Sequence, residues 1–103
     1  MKFMITHEPR GIIPPEAMTR MMEQVKKVLA KPEDFVPGGK LIASYGCRGK
    51  FFVYCIWDVP NAEALMPFVE QLNIAGMDND IIPIDKAAVY AEKLEKALQA
   101  MKG

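Results

Sequence analysis

Seven consecutive residues without a charge, Phe51 to Trp57, constrain the fold of this chain more than any other feature. The run is rich in aromatic and β-branched residues and follows a glycine-containing turn, which predicts a β-strand. A strand in an antiparallel sheet with one face in water should alternate apolar and polar side chains. This run does not alternate, so both faces of the predicted strand need an apolar partner.

The remaining apolar patterns predict three more strands and three helices. Proline in a first turn favours a helix start, and helical spacing of methionine, valine and leucine follows Pro14-Pro15. Pro67 lies inside the second predicted helix and should either kink it or leave its first turn irregular. The predicted strands are Met1–His7, Leu41–Tyr45, Phe51–Trp57 and Asp80–Ile84; the predicted helices run from Pro14 to Lys31, from an Asp58 or Asn61 cap to Gly76, and onward from an Asp85 cap.

This order, β-α-β-β-α-β with a C-terminal helix, predicts one α+β domain over residues 1–103 with a ferredoxin-like arrangement. Right-handed crossovers give a four-stranded antiparallel sheet in the order 4-1-3-2, and Pro83 places the fourth strand at an edge. Two helices cover only one face of such a sheet. A second copy of the chain can cover the other face and form a dimeric α+β barrel, or the C-terminal helix can fold back over it. We favour a homodimer or higher homo-oligomer.

The charge balance limits the partners. Lys plus Arg and Asp plus Glu number 13 each, which argues against nucleic acid or an anionic membrane surface. No apolar stretch approaches the roughly 18 residues that span a bilayer, and the N-terminus is too short and too soon polar for a signal peptide. We therefore expect a cytoplasmic protein whose ligand is a small molecule.

The two cysteines are predicted to be free thiols. With Arg48-Gly49 as the hairpin turn, Cys47 faces Lys50 and Cys55 faces Ile42. That register separates the cysteines by roughly 16 Å along the strands, whereas a disulfide needs Cα atoms within about 7 Å. Cys55 should be buried as a small apolar group.

No sequence motif indicates a metal or a cofactor. CxxC, HExxH and phosphate-binding glycine motifs are missing from the sequence, so neither a metal nor a cofactor is expected. Asp78 and Asp80, together with Glu8, are only a weak indication of a cation site.

One segment resembles a known family. From Tyr54 to Leu65 the chain reads YCIWDVPNAEAL, which is similar to the strand-to-helix corner of muconolactone isomerases: an aromatic residue, Asp-Val-Pro, then Glu-Ala-Leu. The likeness extends loosely from Gly49 to Ile84. It implies the dimeric α+β barrel superfamily, which also contains cofactor-free monooxygenases and haem-binding enzymes. Lys50 stands where those isomerases have histidine, so no functional residue is transferred.

Topology gathers polar side chains at one end of the predicted sheet, where a cleft between sheet and helices should open. His7, the only histidine, is the candidate general acid and base, or alternatively a strand-end histidine that is exposed to water or bonded to a backbone carbonyl. Tyr45 and Tyr54 are candidate catalytic donors to a substrate oxygen, or alternatively aromatic residues of the core or an interface. The other residues expected at this end are Glu8, Arg48, Lys50, Asp78 and Asp80.

Three further residues are candidate substrate-binding groups. Arg48 can clamp a carboxylate with its planar guanidinium, although on a hairpin tip it can equally be a solvated charge. Phe52 and Met22 can line the pocket, and Met22 can equally be part of the helix core.

The sequence therefore predicts a small-molecule enzyme that isomerises a ring-derived or carbonyl-bearing compound by proton transfer, or oxygenates it without a cofactor. The alternative is a non-catalytic oligomeric protein that binds small apolar ligands or haem.

Overall fold

The computed structural model describes all 103 residues and has the predicted order of elements. Two short 3₁₀ turns precede β2 and α2. The strands are β1 (Lys2–Pro9), β2 (Lys40–Gly46), β3 (Val53–Asp58) and β4 (Met77–Pro83); the helices are α1 (Pro15–Ala30), α2 (Met66–Ile74) and α3 (Ala87–Lys102).

The four strands form one antiparallel sheet in the order β2-β3-β1-β4, which confirms the predicted order and places β4 at an edge. β1 is an inner strand of the sheet and pairs with both β3 and β4. In this pairing His7 lies opposite Val53 on one side and opposite Asn79 on the other. Phe3, Ile5 and His7 are buried at alternate positions of β1, as the predicted alternation requires.

The β2–β3 hairpin differs from the prediction by two residues. Tyr45 pairs with Tyr54 and Cys55 with Ser44, not Ile42, because the connection is longer than a two-residue turn. Farther from the turn, β2 also carries a bulge between Leu41 and Ala43. On the hairpin side of the bulge this shift of two residues leaves each β2 side chain on its predicted face, whereas beyond the bulge Leu41 pairs with Trp57 and packs against the core. Cys47 is exposed, Cys55 is buried, and both are free thiols as predicted.

Proline and asparagine shape the start of α2. The Asn61 side-chain oxygen accepts a hydrogen bond from the Ala64 backbone N–H at 3.1 Å, which confirms Asn61 as a cap. The chain then forms a 3₁₀ turn over Ala62–Leu65, and the α-helix begins at Met66 with Pro67 in its first turn. The predicted irregular first turn is confirmed.

Two predicted boundaries require correction. β4 begins at Met77 and not at Asp80, because Asp78 and Asn79 pair with β1 despite their low strand propensity. Asp85 does not cap α3; its carboxylate instead accepts a hydrogen bond from the Lys93 ammonium at 2.9 Å.

The core lies between one face of the sheet and helices α1 and α2. Trp57, Ile5, Leu65 and Val36 are its largest fully buried side chains. Phe68 of α2 packs edge-on against Trp57, with ring centroids 5.6 Å apart. The helix-facing side of the sheet is thus filled, as a two-layer α+β fold requires.

The opposite face of the sheet, called the outer face here, has no helix over it. Ile42, Tyr45 and Ile82 are exposed on it. No residue of α3 is buried, and the subunit is elongated, measuring 57 × 30 × 22 Å. The C-terminal helix does not fold back over the sheet in this structure. No helix of the chain is both long and apolar enough to cross a membrane.

Matched leucine substitutions test this division between core and projecting helix. Leu65 is fully buried whereas Leu98 of α3 is 48% exposed. We expect Leu65→Ala to lower the free energy of unfolding by about 2–5 kcal/mol because it leaves a core cavity. Leu98→Ala should change it by no more than about 0.5 kcal/mol. Urea unfolding at one fixed protein concentration measures both values, and an equal loss in the two variants would contradict the assigned core.

Candidate functional site

A cavity of about 600 Å³ lies between the sheet and helices α1 and α2. Thirteen of its 18 lining residues are hydrophobic, so it suits a ligand with an apolar body. The apolar wall includes Met21 and Val25 of α1, Val53 and Cys55 of β3, and Phe68 and Leu72 of α2.

His7 is the one histidine of the chain and lies in the wall of this cavity, only 4% exposed. The alternation of β1 turns its imidazole toward the helices, where the ring contacts the edge of Phe68 at a centroid distance of 6.0 Å. Its Nδ1 lies 2.6 Å from the Asn79 side-chain oxygen. Its Nε2 is buried and has no hydrogen-bond partner in the protein. One ring nitrogen is therefore held by the protein, and the other is unpaired in a residue that lines the cavity.

Burial lowers the pKa of His7 below its ordinary value of 6.5, and the hydrogen bond with Asn79 opposes this effect only in part. At neutral pH the imidazole is therefore uncharged. A neutral imidazole with an unpaired nitrogen is a competent proton acceptor. The site thus holds a neutral imidazole in the wall of an apolar cavity.

Four further polar side chains line the cavity. Arg20 and Gln24 come from α1, Ser44 from β2 and Gln71 from α2. Arg20 is exposed at the rim and makes no salt bridge with any acidic residue. It is the single permanently charged residue of the lining.

Cys55 is the second titratable group of the lining. Its Sγ lies 3.3 Å from the Ser44 hydroxyl oxygen. Burial raises the pKa of the thiol, and the hydrogen bond with Ser44 only partly opposes this. Cys55 is therefore a protonated thiol at neutral pH and a poor nucleophile, in contrast to reactive cysteines with lowered pKa values.

The structure does not bring Tyr45 and Tyr54 to His7. They pair across the β2–β3 hairpin with ring centroids 5.4 Å apart, and they lie on the outer face of the sheet. The prediction that one cleft holds these residues together requires correction: they share an end of the sheet with His7 but occupy its opposite face. Within one subunit neither phenol can reach a ligand beside Nε2.

The three predicted substrate-binding residues also lie outside the cavity. Arg48 is exposed near the tip of the hairpin, Phe52 lies beneath the Lys50 ammonium at 5.3 Å, and Met22 is 41% exposed. Three other residues line the cavity instead. Phe51 and Met21 are the sequence neighbours of Phe52 and Met22, and Arg20 is an arginine elsewhere in the chain. One step along a helix or an extended chain turns the side chain to another side, which explains the offsets from Phe52 to Phe51 and from Met22 to Met21. Arg20 lines the cavity because it lies on α1, whereas Arg48 lies in the β2–β3 connection.

Two of the three acidic residues near this end, Asp78 and Glu8, lie beside basic side chains. Asp78 accepts a hydrogen bond from the Arg10 guanidinium at 2.9 Å, and the Glu8 carboxylate lies 4.0 Å from the Lys50 ammonium. No group of three or more potential metal ligands is present in the chain.

The sequence patterns identified His7 but missed several residues around it. Asn79 lay just outside the predicted fourth strand, so its pairing with His7 was not foreseen. Phe51 could have been found, because it shares the odd-numbered positions of Val53 and Cys55. Nothing in the sequence indicated that Gln24 and Gln71 line the cavity, since glutamine on a helix is most often solvated.

Comparison with known proteins shows the fold. No protein-family model matches the chain, and no curated protein matches it in sequence. Solved structures do resemble it. One of them is the crystal structure of muconolactone isomerase, with a TM-score of 0.61 and 19% sequence identity over 84% of this chain and 90% of that one. The chain therefore has the fold of muconolactone isomerase, in agreement with the resemblance in its sequence.

Proposed function

We propose that this protein is a small-molecule enzyme that moves a proton within a ring-derived or carbonyl-bearing substrate, as an isomerase of the muconolactone isomerase type would. The single observation that carries this proposal is the environment of His7. Its Nε2 is buried without a protein partner in the wall of an apolar cavity, while its Nδ1 is held by Asn79. A buried polar atom without a partner costs stability, so its retention at a cavity suits a role with a ligand.

The proposed reaction needs only the transfer of one proton. Nε2 of His7 removes a proton from a carbon next to the substrate carbonyl, and the electron pair moves onto the carbonyl oxygen as an enolate. The imidazolium then returns the proton to a different carbon of the same conjugated system. The substrate formula is unchanged, and neither an oxidant nor a metal is needed.

The apolar wall supports this chemistry in two ways. It keeps water away from the base, and it strengthens hydrogen bonds to a developing negative charge. The donors available around the cavity are the Ser44 hydroxyl and the side-chain amides of Gln24 and Gln71. We assign to this set the role first predicted for Tyr45 and Tyr54, because those phenols lie on the outer face.

We likewise assign the anion-binding role to Arg20 and not to Arg48. Arg20 lines the cavity and has no acidic partner, so its guanidinium can take a carboxylate or lactone oxygen of the substrate. Arg48 lies outside the cavity lining. The ligand class proposed for the site is an apolar ring compound with oxygen atoms at one end.

We also propose that two copies of the chain pair through the outer faces of their sheets. Ile56 and Tyr54 of β3 lie at the centre of this face, flanked by Met4 of β1 and Ala43 of β2. No element of the same subunit covers them. A self-complementary sheet pairing would bury this apolar surface and stack the outer tyrosines in an interface.

The same cavity supports a second function, a non-catalytic binder of small apolar ligands or haem, because binding needs the cavity and the free Nε2 but no proton relay. Cofactor-free oxygenation is a third outcome, since it begins with the same deprotonation and then consumes dioxygen. Absorption at the haem Soret band and oxygen uptake during turnover separate these functions from isomerisation.

His7→Gln tests the proposed base. We expect turnover of muconolactone or a related lactone to fall by roughly 10²- to 10⁴-fold, the usual contribution of a general base. Because burial lowers the pKa of His7, wild-type activity should hold through neutral pH and fall on acidification below 6.5, as the imidazole gains a proton. Tyr54→Phe, which alters only a phenol on the outer face, should retain turnover. Unchanged turnover in His7→Gln would contradict the proposal.

Arg20→Gln and Arg48→Gln form a matched pair for the anion-binding site. We expect Arg20→Gln to raise KM for an anionic substrate about 10-fold, the loss of one charge-assisted hydrogen bond of roughly 1.5 kcal/mol or more. Arg48→Gln should leave KM unchanged, because its side chain lies outside the cavity. Steady-state kinetics measure both, and the reverse ranking would return the role to the hairpin arginine.

Ile56→Asp and Ile12→Asp test the proposed dimer with the same chemical change at two places. Ile56 lies on the outer face, whereas Ile12 is a fully exposed loop residue. We expect the wild type and Ile12→Asp to sediment as dimers and Ile56→Asp to yield the 11.5 kDa subunit. A stable wild-type monomer at micromolar concentration in analytical ultracentrifugation would refute the pairing.

A further inference from the structure

The pairing of β1 with β4 places Asn79 directly opposite His7, so their side chains share the helix-facing side of the sheet. The Asn79 side-chain oxygen and the His7 Nδ1 are 2.6 Å apart, a short hydrogen bond. Asn79 does not line the cavity itself. It therefore acts on a ligand only through the imidazole.

The neighbours of the Asn79 amide fix which of its two ends faces His7. Its Nδ2 lies 3.3 Å from the backbone oxygen of Met77, and a carbonyl oxygen can only accept a hydrogen bond. The end near Met77 must therefore be the NH₂ group. The same nitrogen donates to the Asn73 side-chain oxygen at 2.7 Å. The amide oxygen is the end that remains for His7.

An amide oxygen has no proton to donate, so the proton of this hydrogen bond belongs to His7 Nδ1. A neutral imidazole carries one N–H, which leaves Nε2 with a lone pair. We propose that Asn79 is a positioning residue that holds His7 in the Nδ1–H tautomer and thereby presents the Nε2 lone pair to the cavity. The catalytic consequence rests on the proposed function, whereas the tautomer itself does not.

The opposite tautomer would disable the base. It would place a lone pair of Nδ1 against the lone pairs of the Asn79 oxygen, and it would turn a buried N–H into the cavity, where it could donate but not accept a proton. When Nε2 takes a proton from the substrate, the Asn79 oxygen accepts a stronger hydrogen bond from the imidazolium Nδ1–H. Asn79 thus stabilises the neutral imidazole that accepts the proton and the imidazolium that returns it.

The tautomer can be read directly, because the chain contains a single histidine. In protein labelled with ¹⁵N at the imidazole, long-range ¹H–¹⁵N correlation spectra distinguish a protonated from an unprotonated ring nitrogen. At pH 8 we expect wild-type His7 to show a protonated Nδ1 and an unprotonated Nε2. A protonated Nε2 in the wild type would overturn the proposal, whether or not any substrate is ever turned over.

Variants at Asn79 separate positioning from general damage to the sheet edge. Asn79→Asp retains the acceptor oxygen, so it should keep the Nδ1–H tautomer and raise the pKa of His7 by adding a negative charge. Asn79→Leu removes the acceptor and should populate the Nε2–H tautomer. Asn73→Ala is the matched control and should leave the tautomer unchanged, because the Met77 carbonyl still orients the amide.

The kinetic readout follows the tautomer. Asn79→Leu should lower kcat about 10²-fold with KM nearly unchanged, since Asn79 does not line the cavity. Asn79→Asp should move the acidic limb of the kcat/KM–pH profile to higher pH.

An unaltered Nδ1–H tautomer in folded Asn79→Leu, or an unchanged pKa of His7 in Asn79→Asp, would overturn the proposal. If Asn79→Leu does not fold, the wild-type spectrum and the pKa of His7 in Asn79→Asp still test the proposal. Loss of turnover in His7→Gln alone would support the base but not the role of Asn79.

Discussion

The pairing of β1 between β3 and β4 is the constraint on which the rest of this structure depends. It aligns Phe3, Ile5 and His7 on one side of the central strand, opposite Trp57, Cys55 and Val53 of β3. Helices α1 and α2 then cover this stripe and bury it. Because His7 stands at the end of the stripe, the same alternation that fills the core also delivers an imidazole to the wall of the cavity.

Whether a buried polar atom without a partner indicates a ligand site depends on its surroundings. The chain has two such atoms, His7 Nε2 and Trp57 Nε1, and each costs about 1–3 kcal/mol in lost hydration. Trp57 packs within the core against Phe68 and lies outside the cavity lining. Only His7 combines an unpaired atom with a space large enough for a ligand. Cavity and imidazole together, and neither alone, support the proposed chemistry.

The two faces of the sheet separate two tasks. The helix-facing side holds the core and the cavity, whose polar groups come from α1, β1, β2 and α2. The outer face holds Tyr45 and Tyr54 in contact with each other, and no helix of the same chain covers it. The proposed proton transfer therefore depends on the helix-facing side, and the proposed pairing of two chains depends on the outer face. The projecting helix α3 has no buried residue and belongs to neither layer.

The sequence by itself determined the order of elements, the strand order and the faces of β1 and β3, because period-two alternation and proline and glycine positions are local signals. It also identified His7, since a lone histidine at a strand end is visible without coordinates. Only the tertiary structure decided which residues surround it. Asn79 meets His7 through a pairing between residues distant in sequence. Phe51 and not Phe52 lines the cavity because successive residues of an extended chain point to different sides. Arg20 and not Arg48 lines it because α1 packs over the cavity, whereas Arg48 lies in the β2–β3 connection.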